Sequence, residues 1–140
     1  MEEVSFSKGE LIIRKGDRNS NFYLIKKGIW RAYYLADGTE NSLWFVGSGE
    51  TAFSSWTYVE GKPSQINIES VNDSIAYCIS KVKLETLFSH SLEMANFGRK
   101  IFEREILSVD ASTLAYGAPP TAKERYLTLM EENPELLQDV

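Results

Sequence analysis

The side chains that most often carry chemistry are scarce in this chain of 140 residues, which has one His, His90, and one Cys, Cys78. A lone cysteine excludes an intrachain disulfide, an all-cysteine zinc site and an iron–sulfur cluster held within one chain. One His beside it cannot supply the several ligands an open metal site needs, and with His90 the only imidazole no Ser or Cys nucleophile has its base in evidence. The chain is therefore expected to be no enzyme and to hold no metal or cofactor. His90, in Phe88-Ser89-His90-Ser91, reads as a linker or cap residue between two helices. Cys78, in Ile75-Ala76-Tyr77-Cys78-Ile79, reads as a small hydrophobe of a core strand.

Two other groups invite a binding role. Ser54, Ser55, Ser64 and Gln65 are short hydrogen-bonding groups suited to a polar ligand in a small pocket, with Trp44 and Phe53 as an apolar wall. A buried phosphate would ask for charge-assisted contacts, yet the one basic residue in positions 51–68 is Lys62. A lysine binds phosphate as a point charge and replaces a bidentate Arg poorly. The alternative reading, equally open at this stage, makes these serines ordinary loop and helix-cap residues around a vestigial pocket. The aromatic group Trp30, Tyr33, Tyr34 and Trp44 has the look of a stacking platform for single-stranded nucleic acid, but such platforms interleave basic residues. Only Arg31 accompanies these rings, and the whole chain carries 15 basic against 20 acidic residues, a net charge of −5. Sheet and core packing accounts for the rings better. Glu103-Arg104-Glu105 reads as a solvated helix edge.

The elements that must position these residues follow from the same chain. With 43% hydrophobic residues there is enough material for one core. No apolar run approaches the ~18 residues of a membrane span. The acidic start Met1-Glu2-Glu3-Val4 is not a signal peptide, so a cytoplasmic location without membrane association is expected. Up to residue 80 the chain reads as short strands between turns: Leu11-Ile12-Ile13, Phe22-Tyr23-Leu24-Ile25, Ile29 to Leu35, Asn41 to Val46, Ile66 to Ser70 and Ile75 to Ile79. Asp37-Gly38 is the strongest hairpin signal among them. Strands of aromatic and β-branched residues at this spacing predict a sandwich or barrel rather than alternating β and α units.

From Ser80, a candidate N-cap, the pattern turns helical, with Leu84, Leu87 and Phe88 on one face. A longer helix is predicted over about residues 91–116, interrupted only by Gly98. Its apolar residues form three stripes: Met94, Phe97 and Ile101; Phe102, Ile106 and Val109; Leu107, Ala111 and Leu114. A surface helix needs one apolar face, so the expectation is a helix that covers its own roll and also packs on a partner subunit. Gly117-Ala118-Pro119-Pro120 breaks it, and Thr121-Ala122-Lys123-Glu124 has the capping-box form that opens a last helix with Tyr126, Leu129 and Met130 on its apolar face.

The run Lys8-Gly9-Glu10-Leu11-Ile12-Ile13-Arg14-Lys15-Gly16-Asp17, followed by Asn21-Phe22-Tyr23-Leu24-Ile25-Lys26-Lys27-Gly28, resembles the opening of a cyclic-nucleotide-binding β-roll. The hairpin at Asp37-Gly38, a loop with a short helix near Phe53 to Tyr58, two closing strands and a long helix continue the likeness. The segment from Thr121 to Pro134 looks like the approach to the DNA-binding part of Crp/Fnr-type transcription regulators. The resemblance implies a mainly β fold with C-terminal helices: a double-stranded β-helix, or jelly roll, over residues 1–90 and a long dimerisation helix over 91–117. Residues 118–140 would begin a DNA-binding module whose helix-turn-helix is missing, so that DNA is contacted only through a part absent here.

In nucleotide-binding members of that family a Glu grips the ribose, and ten residues on an Arg neutralises the cyclic phosphate. Here those positions fall on Ser54 and Ser64, so cyclic AMP binding by the usual contacts is not expected. The family also places Leu107 and Ser108 where the long helix faces the ligand. The resemblance thus implies a homodimer held through Phe102, Ile106, Val109 and Leu114, with a small-molecule effector of unknown identity whose binding reorients the long helix against its twofold mate. A ligand-free interaction domain is the alternative, with a metal-free cupin-like enzyme behind it.

Overall fold

The structure, a computed structural model, describes the backbone of residues 1–116 and the side chains of residues 1–107. The helix break at Gly117, the capping box from Thr121 and the last helix lie outside the described residues, as do the side chains of Ser108, Val109, Ala111 and Leu114. The described chain divides into two compact units, the first ending at Ser80 and the second beginning at Lys81.

In the first unit the strands follow in the order β1 (Glu2–Phe6), β2 (Leu11–Ile13), β3 (Phe22–Lys27), β4 (Trp30–Ala36), β5 (Thr39–Val46), β6 (Thr51–Ala52), β7 (Asn67–Ser70) and β8 (Ser74–Ile79), with the short helix α1 (Ser55–Glu60) between β6 and β7. They form two four-stranded sheets, ordered β1-β8-β3-β6 and β2-β7-β4-β5, with antiparallel pairing throughout. Each sheet draws on both halves of the sequence, as a rolled double-stranded β-helix requires. The apolar runs explain the placement. Ile13, Ile25, Trp30, Ala32, Ile68 and Ala76 are almost wholly buried and belong to one core cluster fed by both sheets. Trp30 is fully buried, with Phe6 and Tyr23 edge-on to its ring at 5.5 and 5.3 Å. Its indole N–H finds the buried Ser74 Oγ at 2.8 Å, so the largest core side chain leaves no unpaired donor.

The β4–β5 hairpin closes with Ala36 opposite Thr39, and Asp37 and Gly38 both lie at positive φ, +53° and +76°. That is the geometry which matches the right-handed twist of the flanking strands and favours Asp-Gly. Gly28 has a different task. At φ +109° it lies so near β8 that a Cβ would stand 2.4 Å from Ser74 Cβ, and the next amide, Ile29 N–H, donates to Asn72 Oδ1 at 2.8 Å. Any side chain at residue 28 would push the two strands apart.

Two strands exceed the sequence expectation. In β1, Glu2 and Glu3 mask the pattern, because a strand paired on one side with β8 can keep its charged side chains in solvent. In β6 two residues are too few to show a period.

The second unit holds α2 (Lys81–His90) and α3 (Leu92–Tyr116). Ser80 stands directly before α2, and Ser91 Oγ accepts Met94 N–H at 3.1 Å to cap α3. Gly98 is buried under the Phe88 ring: a Cβ there would lie 2.5 Å from it. Close helix contact thus explains the one glycine inside α3. Each of the three apolar stripes keeps a member in solvent, Phe97 at 57%, Ile106 at 65% and Leu107 at 67% exposure. Met94, Ile101 and Phe102 are half-buried. No helix among the described residues is long and apolar enough to cross a membrane.

Candidate functional site

The loop between β6 and β7 is organised around α1, which begins after Ser54 and ends at Gly61 in the left-handed conformation, φ +70°. The amides of Gly61 and Lys62 turn back onto the carbonyls of Thr57 and Trp56, at 3.0 and 3.2 Å, so the C-terminus is closed by the loop's own backbone. Ser54 stands at the N-cap in extended backbone, but its hydroxyl makes no cap bond. It is fully buried and faces Thr57 Oγ1 at 3.5 Å. Thr57 in turn donates to the Lys62 carbonyl at 2.6 Å. A hydroxyl has one proton to give, so Thr57 must be the acceptor in its contact with Ser54.

Ser64 is 2% exposed and fully engaged. Its amide donates to the Asp17 carbonyl and its carbonyl accepts the Gly16 amide, both at 2.8 Å. Its hydroxyl donates to the Ile66 carbonyl at 2.9 Å and accepts the Ile66 amide at 3.2 Å. The next residues extend the same seam, with Lys15 N–H donating to Asn67 Oδ1 at 2.8 Å. Phe53 stacks on Phe22 of β3 at 5.1 Å and meets Tyr58 of α1 at 5.5 Å, so an aromatic group anchors the other side of the loop.

The sequence candidates therefore separate. Ser54 and Ser64 are buried with their hydroxyls turned onto the loop itself, and Phe53 is half-buried within the aromatic group. Ser55 and Gln65 are exposed. Trp44 is partly buried against the roll core from β5. Leu107 is exposed on α3. Lys62, the loop's one basic residue, reaches Glu60 at 3.1 Å, both side chains lying in solvent. Thr57, Tyr58 and Asn67 were not singled out from sequence. Thr57 has a legible signal, its spacing of three from Ser54, whereas the Asn67 contact crosses 52 residues and has none.

The remaining chemistry-bearing residues are quiet. His90 is exposed and its Nδ1 donates to the Thr86 carbonyl at 2.8 Å, an ordinary helix-end contact. Cys78 is half-buried on β8, where burial pushes its thiol above the usual range. Arg31 is bound by Glu69 and Glu40, each at 2.6 Å, and lies over the Tyr33 ring, so its charge is matched within the sheet. No group of three or more His, Cys, Asp and Glu among the described residues is placed to hold a metal ion.

A profile of the cyclic nucleotide-binding domain matches residues 3–91, more than half of the chain. The chain belongs to the cyclic nucleotide-binding domain family. Solved structures repeat the fold. FixK2 from Bradyrhizobium japonicum aligns with a TM-score of 0.68 and 21% identity over 84% of this chain and 58% of its own length. The catabolite activator protein of Thermus thermophilus gives 0.66 and 19% over 79% of this chain and 52% of its own. The regulatory domain of Toxoplasma gondii PKA, crystallised with cAMP, gives 0.56 and 21% over 61% of this chain and 32% of its own. The chain thus spans little more than half of the two regulators, and at these identities the shared property is the fold. A sequence search of curated proteins finds no match. The family match takes in the roll and α2, and FixK2 and the catabolite activator protein repeat the fold over most of the chain.

Proposed function

We propose that this cyclic nucleotide-binding domain is the regulatory module of a Crp/Fnr-type transcription regulator, not an enzyme, and that it does not hold a cyclic nucleotide through the family's charged contacts. The observation that carries this reading is Ser64. At the position where the family has its phosphate-binding Arg, a buried serine spends both backbone groups and its hydroxyl on the protein. A cyclic phosphate entering there would meet no cation and would lose its hydration without replacement, a cost of several kcal/mol. Lys62 does not change this, since it sits in solvent beside Glu60.

In this reading an effector of different chemistry, neutral and hydrogen-bonding, engages the roll, and the long helix carries the change to a homodimer partner. Exposed Phe97, Ile106 and Leu107 support a helix that is covered by a second copy. DNA is reached through a module beyond the described residues, in the cytoplasm. Mass spectrometry of small molecules released from the purified protein tests the reading. A non-nucleotide effector is expected; an empty protein would favour the ligand-free interaction domain instead, and stoichiometric cyclic AMP or cyclic GMP would overturn the reading.

A further inference from the structure

The loop that in this family holds the ligand is here braced by several bonds to the protein itself. Consider what would have to break for residues 51–66 to open. The Thr57 hydroxyl ties the middle of α1 to the Lys62 carbonyl beyond its end at 2.6 Å, and the buried Ser54 hydroxyl faces Thr57 across a long 3.5 Å contact. The Gly61 and Lys62 amides close the same turn from the backbone. Ser64 pins the descending arm to Gly16 and Asp17 in the β2–β3 connection, and its hydroxyl fastens the turn at Ile66. Phe53 and Tyr58 hold the ascending arm against Phe22 of β3. Ser54, Thr57 and Ser64 are each almost wholly buried, so their hydroxyls would be stranded by any conformation that did not replace these bonds with water.

We infer that the loop is fixed by the protein's own hydroxyls, in the place of a ligand, and keeps one conformation whether or not a cyclic nucleotide is present. A loop organised by a ligand pays for its order only when the ligand arrives; this one is ordered beforehand, so cyclic nucleotide has no loop equilibrium to shift. The inference rests on the proposed loss of the charged contacts and adds to it how the loop is held without them.

Amide hydrogen exchange on the unliganded protein tests it. The amides of Gly61, Lys62, Ser64 and Ile66 should exchange as slowly as those of β3. Thr57→Val should speed exchange at Gly61 and Lys62, and Ser64→Ala at Ile66, each by about fivefold to tenfold, with β4 amides unchanged. Thr57→Ser, which restores a hydroxyl, should return the slow rate and controls for a folding defect in the valine variant. Exchange at these amides in the unliganded wild type at the rate of exposed loops would overturn the inference and leave the loss of cyclic nucleotide binding standing. Slow exchange that appears only on addition of millimolar cyclic AMP would overturn both.

Discussion

The amide of Ser64 donates to the carbonyl of Asp17 at 2.8 Å, joining the arm of the candidate ligand loop to the turn after β2. The adjoining Gly16 amide donates back to Ser64, which makes the contact a short ladder and not an isolated bond. With its hydroxyl also bonded to Ile66, Ser64 serves to hold the loop.

Alkaline pH should destabilise the roll. Burial, the largest cause in both cases, raises the Cys78 thiol above its ordinary value of 9.0 and the Tyr23 hydroxyl above 10.0. Both groups are neutral when protonated, so the unfolded chain releases their protons first. Their contribution to stability is full below about pH 9 and falls as pH rises through the ordinary values toward the raised folded ones. Urea midpoints should drop on going from pH 8 to pH 10.5, and Cys78→Ala combined with Tyr23→Phe should flatten the drop. Equal slopes in the wild type and the double variant would contradict the assignment.

The seat of Phe88 on Gly98 makes a sign-changing prediction. Gly98→Ala places a methyl group 2.5 Å from the ring, and overpacking of this kind costs about 1–3 kcal/mol. Alanine recovers about 1 kcal/mol of helix propensity, so the single variant is expected to be less stable by about 1 kcal/mol. In a Phe88→Ala background the clash is gone and Gly98→Ala should stabilise. Thermal unfolding of the four proteins closes the cycle, and an identical effect of Gly98→Ala in both backgrounds would refute the contact.

Much of this architecture was legible because apolar side chains in strands and helices announce their period. The runs at Phe22 and Trp30, the positive-φ pair at Asp37-Gly38 and the change at Ser80 all correspond to observed elements. The strand from Glu2 was hidden because its acidic residues sit on a solvent face, and that from Thr51 because two residues have no period. The site was less legible for a different reason. Residue type shows that Ser54 and Ser64 replace charged groups, but whether a serine faces a ligand or its own loop depends on contacts such as Ser64 with Asp17, which join residues 47 positions apart in sequence. Composition carries no trace of that choice.

The exposed apolar side chains of α3 lead to a prediction about assembly. Ile106 stands 65% exposed, one turn of helix from half-buried Phe102. A face of this kind on a long helix fits a twofold partner better than solvent. In sedimentation velocity the wild type is expected to sediment as a dimer and Ile106→Asp as a monomer, with the circular dichroism of the roll unchanged. A wild type that sediments as a monomer, or a variant that sediments like a dimeric wild type, would remove α3 at this position from the interface.

We propose that this member of the cyclic nucleotide-binding family has given its phosphate position to a structural serine. Thermal unfolding of the full chain with and without millimolar cyclic AMP, repeated with cyclic GMP, measures this most directly. A ligand at a hundred times its dissociation constant stabilises the folded state by about 2.7 kcal/mol, a readily visible rise in Tm. No rise is expected with either nucleotide. A rise that saturates with concentration would show that the phosphate is still held, and would contradict this proposal.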